Sequence, residues 1–155
     1  MSEEKFERIL IPFFGDYFPK KAKEKAIDLI DSGGELYLLH IVDEAASRSI
    51  RYTTGQLGKD NGFYKSYKES LEELQEMDVE EFVEKIRAEL GDLDVSIESI
   101  FVSGDPAQET LKAIEKHSID VVIVERLRER MAEFFLGEEI ELLKDKAPCR
   151  VIEVS

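Results

Sequence analysis

The stretch "ELYLLHIV", residues 35–42, has almost no polar break. A strand with one wet face alternates apolar and polar positions, whereas a run apolar at nearly every position needs cover on both faces. A parallel sheet between two helical layers supplies that cover. "DVVIV" (120–124) has the same character, and "FERILIPFF" (6–14), "DVSIESIFV" (94–102) and "CRVIEV" (149–154) complete a set of five strand patterns.

Helical patterns separate the strands. From Pro19 to about Asp31 the apolar positions Ala22, Ala26, Leu29 and Ile30 share one face, and Gly33 and Gly34 are expected to end the helix. A stripe at Tyr64, Tyr67, Leu71 and Leu74 precedes Asp78 and Glu81, which have capping-box spacing before Phe82, Ile86 and Leu90. One bent helix and two helices both fit residues 63–90. "SGDP" leads into a third pattern with Asp105 as N-cap, Pro106 in the first turn, Gln108 closing the box and Ala107, Leu111 and Ile114 as its apolar stripe. The last runs from about Glu138 to Lys146. Residues 44 to about 61 show no periodicity and read as part of an excursion at about 44–65, in which Arg48, Ile50, Arg51 and Tyr52 form a mixed basic and aromatic patch.

Strands joined through helices imply right-handed crossovers and a single α/β domain over residues 1–155. Ligands of such folds sit beyond the carboxyl ends of the strands, where strand order reverses. The expected mouth is therefore Phe13–Asp16, Val42–Glu44, Ser103–Pro106 and Glu125 onward.

Charge narrows the partners. The chain carries 35 acidic residues against 21 Lys and Arg, a formal −14, which repels nucleic acid and anionic membrane. "MSEEKFER" lacks the apolar stretch of a signal peptide, and no apolar run approaches spanning length, so a cytoplasmic chain is expected. Cys149 is the lone cysteine and reads as a small buried hydrophobe; with two histidines in the chain, a zinc site is not expected. His40 reads as a core histidine and His117 as a favourable charge at a helix end. Ser103 has no visible base, and Asp43 with Glu44, or with Asp16 or Asp105, reads as a solvated strand end rather than a cation site. No catalytic constellation emerges, and enzymatic activity is not expected.

"RILIPFFG", "YLLHIVDE", "VSGDPAQETLKAIEKHSIDVVIV" and "LGEEIELLKDKAPCRVIEV" together resemble the universal stress protein family, everywhere except residues 44–90. The resemblance implies an α-β-α sandwich of the adenine nucleotide alpha hydrolase-like type, with a five-stranded parallel sheet in the order 3-2-1-4-5. It also implies a homodimer joined through the last strand, Arg150, Val151, Ile152, Glu153 and Val154, and a role in stress responses.

ATP-binding members of that family carry an aspartate at the end of strand one and a glycine loop after strand four. The aspartate falls on Phe14, beside Gly15; the two early loop glycines fall on Val124 and Leu127, and the later Gly-Ser/Thr pair on Gly137 and Glu138. Of these signature residues only Gly137 is kept, while a backbone position at the end of strand two matches Val42. Glycines let backbone N–H groups curl around a phosphate, and Val and Leu restrict both the angles and the approach. Glu138 adds repulsion where a hydroxyl would donate, although an acid suits the first turn of a helix.

The expectation is a regulatory or protein-interaction module without ordinary ATP binding and without a cofactor, its crevice partly filled by Phe14 with Phe13, Phe18, Phe134 or Phe135. Candidate crevice residues are Phe14, Gly15, Val42, Ser103, Gly104, Arg126, Arg128, Arg130 and Gly137. The competing reading is a divergent nucleotide or phosphate sensor in which Arg126, Arg128 or Arg130 replaces the backbone donors. Glu125, Glu129 and Glu133 are alternative partners for those arginines.

Overall fold

The computed structural model describes residues 4–14, 18–43, 79–126 and 137–155. Five strands form one parallel sheet: β1 (Phe6–Phe14), β2 (Ile30–Asp43), β3 (Ser96–Gly104), β4 (Val121–Glu125) and β5 (Arg150–Val154), in the order β3-β2-β1-β4-β5. The helices are α1 (Lys20–Leu29), α2 (described over 79–90), α3 (Pro106–His117) and α4 (Gly137–Lys146). The expected order 3-2-1-4-5 and the three-layer architecture are what the chain adopts.

The layers follow from the period of two along each strand. Ile9, Ile11 and Phe13 of β1, Leu36 and Leu38 of β2, and Val121 and Ile123 of β4 pack with Ala22, Ala26 and Leu29 of α1 and with Val79, Phe82, Ile86 and Leu90 of α2. The alternate residues Leu10, Leu39, Ile41, Val122 and Val124 face α3 and α4 through Ala107, Ala113, Ile114, Ile140 and Leu143. Both faces of the central strands are thus dry, which explains why 35–42 is apolar at nearly every position.

Local chemistry sets the helix ends. In α3, Asp105 Oδ2 accepts the Gln108 N–H at 3.0 Å, and Ser118 closes the helix in the left-handed conformation with φ 53°. His117 occupies the last turn, as expected, with its ring 4.7 Å from that of Tyr37.

The end of α1 corrects the sequence reading. The helix stops at Leu29, two residues before Asp31, and Ile30 is already extended at φ −74°, ψ 135° as the first residue of β2. Gly33 and Gly34 are not its caps. They lie where the β1–β2 register jumps from Phe6↔Ile30 to Arg8↔Glu35, with Gly33 at φ +86° and its N–H donated to the Asp94 carbonyl at 2.6 Å. Two consecutive glycines after a helical stripe look like a stop signal; here they serve an irregularity inside the strand. β3 also runs later than expected, from Ser96 to Gly104, so Ser103 and Gly104 belong to the strand itself.

At the amino ends of β1 and β2, opposite the crevice, the Tyr37 hydroxyl donates to Glu35 Oε2 at 2.6 Å and Arg8 Nε donates to the same oxygen at 3.1 Å. These bonds, the Tyr37 bond first, hold the Glu35 carboxyl below the usual carboxylate range. Burial, and then the Glu35 bond, push the Tyr37 phenol up to about 12.

Two tests of this scaffold follow. A Cβ at Gly34 would lie 2.8 Å from the carbonyl oxygens of both Asp31 and Glu7, so Gly34→Ala is expected to destabilise the fold measurably in urea titrations. The cost should be about 1–3 kcal/mol, as for other overpacked sites. The raised Tyr37 phenol contributes stability that is complete below its ordinary value of 10.0 and is lost as pH rises through about 12. Tyr37→Phe should flatten that alkaline arm in unfolding curves, and ultraviolet difference titration should lose a phenol that titrates near 12.

Candidate functional site

The strand order reverses between β1 and β4, and this is where the two strands part. Their paired register covers Ile9↔Val121 and Leu10↔Val122, whereas β1 continues to Phe14 and β4 to Glu125. Pro12, which has no N–H to give a ladder, stands two residues past the last of these pairs. The cleft so opened is bounded on one side by the start of α1.

The first turn of α1 lacks a cap of its own, because Pro19 occupies the N-cap position and no acid lies in that turn. Glu125 supplies the acceptor from β4. Its Oε1 takes the N–H of Lys21 at 2.8 Å and of Ala22 at 3.0 Å, and the residue is only 7% exposed. A carboxylate at the positive end of a helix is favourable twice, through the hydrogen bonds and through the dipole. This role was invisible in sequence: the bonds cross separations of 104 and 103 residues, and nothing near Glu125 in the chain marks it as a cap.

Arg126, the first of the candidate arginines, turns the other way. Its Nε donates to Glu153 Oε2 on β5 at 2.6 Å, its backbone N–H donates to the Val154 carbonyl at 2.8 Å, and Lys144 Nζ reaches Glu153 Oε1 at 3.1 Å. Glu153 raises the Arg126 guanidinium further, and the Arg126 bond, supported by Lys144, holds the Glu153 carboxyl low. The exit of β4 is therefore tied to the outer strand by backbone and side chain alike.

Aromatic rings fill the cleft floor on the α1 and α2 side. Phe13 is buried at 3% exposure, stacked on His40 at 4.9 Å and tilted against Phe18 and Phe82 at 5.6 and 6.1 Å. His40 meets Phe101 edge-on at 4.4 Å and is itself buried, a core histidine as expected. Below the exit of β4, Val124 is fully buried among α3 and α4 contacts, at the position that resembles a loop glycine.

The remaining candidates are spread out. Ser103 and Gly104 pair with Val42 and Asp43 at the β3 edge of the sheet. At about 4.8 Å per strand they lie roughly 14 Å from β4. Gly104 has φ +149°, and an added Cβ would meet Glu109 Oε1 at 2.8 Å, so its close neighbour is a side chain of α3. Phe14 ends β1 and Gly137 begins α4. Gly15, Arg128, Arg130, Phe134, Phe135 and residues 44–65 lie outside the described residues, as do the side chains of Phe14, Val42 and Asp43.

Cys149 is half-buried, and desolvation, then the nearby Asp120 charge, push its thiol up rather than activating it. Among the described residues no group of three His, Cys, Asp or Glu side chains could hold a metal ion, and no helix is long and apolar enough to cross a membrane. A pocket of about 130 Å³ lies between the start of α1 and α2, lined by Phe18, Lys20, Lys23, Glu81, Phe82 and Lys85.

Comparison with known proteins agrees with this architecture. The model of the universal stress protein family matches residues 5–155. A universal stress protein of Methanothermobacter thermautotrophicus is 26% identical over 149 residues, covering 96% of this chain and 94% of its own. The universal stress protein MJ0577 of Methanocaldococcus jannaschii is 30% identical over 125 residues, 77% of this chain and 76% of its own. Among solved structures, that of MJ0577 superposes with a TM-score of 0.68 at 24% identity, covering 96% of this chain and 95% of that one. An Arabidopsis thaliana family protein with AMP bound gives 0.59 at 17% identity, with coverages of 95% and 90%, and a universal stress protein in complex with cAMP gives 0.58 at 13%, with coverages of 97% and 98%. At these identities the structural likeness is one of fold. From the family match over nearly its whole length, the chain belongs to the universal stress protein family.

Proposed function

We propose that this chain is a cytoplasmic, homodimeric regulatory module that works by protein association, without ordinary ATP binding and without catalysis. The observation that supports this reading best is the environment of Val124 and Glu125. The first is a buried β-branched residue and the second a buried carboxylate engaged with α1, at the point where a nucleotide-binding relative would need open, glycine-lined donors. Phe13 and its aromatic neighbours add to this by filling the floor of the cleft.

The second reading, a divergent nucleotide sensor, draws support from relatives of the same fold that hold AMP and cAMP. In this chain it would rest on Arg128 and Arg130, because Arg126 is engaged by Glu153. Titration calorimetry with ATP and AMP, with and without magnesium, decides between the two. No micromolar binding is expected, and magnesium-dependent micromolar affinity for ATP would replace the first reading by the second.

Dimerisation is proposed through β5. It is an edge strand whose Val151, Ile152 and Val154 are only half-buried in one chain, an arrangement that needs protection or a partner. Light scattering at micromolar concentration should report the mass of two chains. The mass of one chain would count against this part of the proposal.

A further inference from the structure

The groups that an anion would use around the exit of β4 are filled by the chain's own carboxylates. Two observations, on different elements, point this way. Glu125 brings an oxygen to 2.8 and 3.0 Å from the first free N–H groups of α1. Glu153 of β5 takes the side chains of both Arg126 and Lys144. Backbone donors and cationic side chains are the two means by which a protein holds a phosphate or a carboxylate.

We infer that Glu125 is the residue that sets this crevice against anionic ligands, its carboxylate standing on the α1 donor pair where a ligand's phosphate or carboxylate would otherwise sit. The inference deepens the reading above and rests on it. Glycine loss alone removes favourable contacts; a resident carboxylate goes further and occupies the remaining donors. A second anion within hydrogen-bond distance of Lys21 and Ala22 would have to displace Glu125 from both donors, beside fully buried Ala22 and Val124. The buried position of Glu125 also keeps it from swinging into solvent to make room.

Removal of the carboxylate should then leave a vacancy that a small anion can fill. Thermal unfolding of the full chain, wild type, Glu125→Ala and Glu125→Gln, is compared in sodium chloride, sodium propionate and sodium phosphate at equal ionic strength. Glu125→Ala is expected to melt about 2–6 °C below wild type in chloride, the shift that loss of a helix cap gives in a domain of this size. Propionate or phosphate should restore at least half of that loss, beyond the general stabilisation the same salt gives the wild type. Glu125→Gln keeps an uncharged acceptor on the donors and should show no anion-specific recovery. A Glu125→Ala deficit equal in all three salts, or a wild type that gains as much from phosphate as the variant does, overturns the inference. Should Glu125→Ala not fold, Glu125→Ser is read in the same way. ATP titration of the wild type tests the proposed function, whereas the recovery concerns a variant's vacated donors, so either can fail while the other stands.

Discussion

Everything in this molecule depends on one constraint: a parallel sheet has to be covered on both faces. Strands β1, β2 and β4 meet it with side chains that alternate between an α1/α2 layer and an α3/α4 layer, and most of the buried core belongs to one of those two clusters. Because the helices must return the chain across the sheet after each strand, every carboxyl strand end opens toward the same side. The crevice is thus a by-product of covering the sheet. Its chemistry is decided afterwards, by the few residues at the strand ends.

At those ends the described side chains are engaged within the chain. Val124 is drawn into the α3/α4 core, Phe13 into the opposite one, and Glu125 and Glu153 meet donors and cations on either side of the β4 exit. These substitutions are mutually consistent. Apolar side chains fill the core at Val124 and Phe13, and the Glu125 carboxylate satisfies backbone at the start of α1. A helix start in a cleft cannot leave its N–H groups dry and unpaired, and Glu125 meets that need for α1 from within the chain.

Most of the architecture was legible because it is written in short-range pattern. The apolar run at 35–42, the Asp105-Pro106-Gln108 start of α3 and the Gly137 entry to α4 each announce an element within a few residues. Misreadings arose where a local signal had a non-local purpose. Gly33 and Gly34 carry the composition of a helix stop, but Gly33 is required by its φ of +86° and Gly34 by the close approach of the Asp31 and Glu7 carbonyls. The site was less legible for the same reason. Phe13 and Arg126 were visible as residue types, yet whether Arg126 faces the crevice or the sheet edge depends on Glu153, twenty-seven positions away. The capping role of Glu125 had no sequence signal at all, since the helix it completes lies at the other end of the chain.

That distance bears on how the chain reaches its fold. The order of the sheet places β1 beside β4, so the pairing Ile9↔Val121 and the Glu125 cap on α1 both close loops of more than a hundred residues. Closing such loops costs chain entropy before any contact rewards it, and folds rich in non-local pairings cross their barrier slowly. Helix α1 can form its body early against β1 and β2, but its first turn gains its acceptor only when β4 arrives. The same carboxylate therefore acts as a clasp between the two halves of the chain, one that can fasten only when β4 stands beside β1.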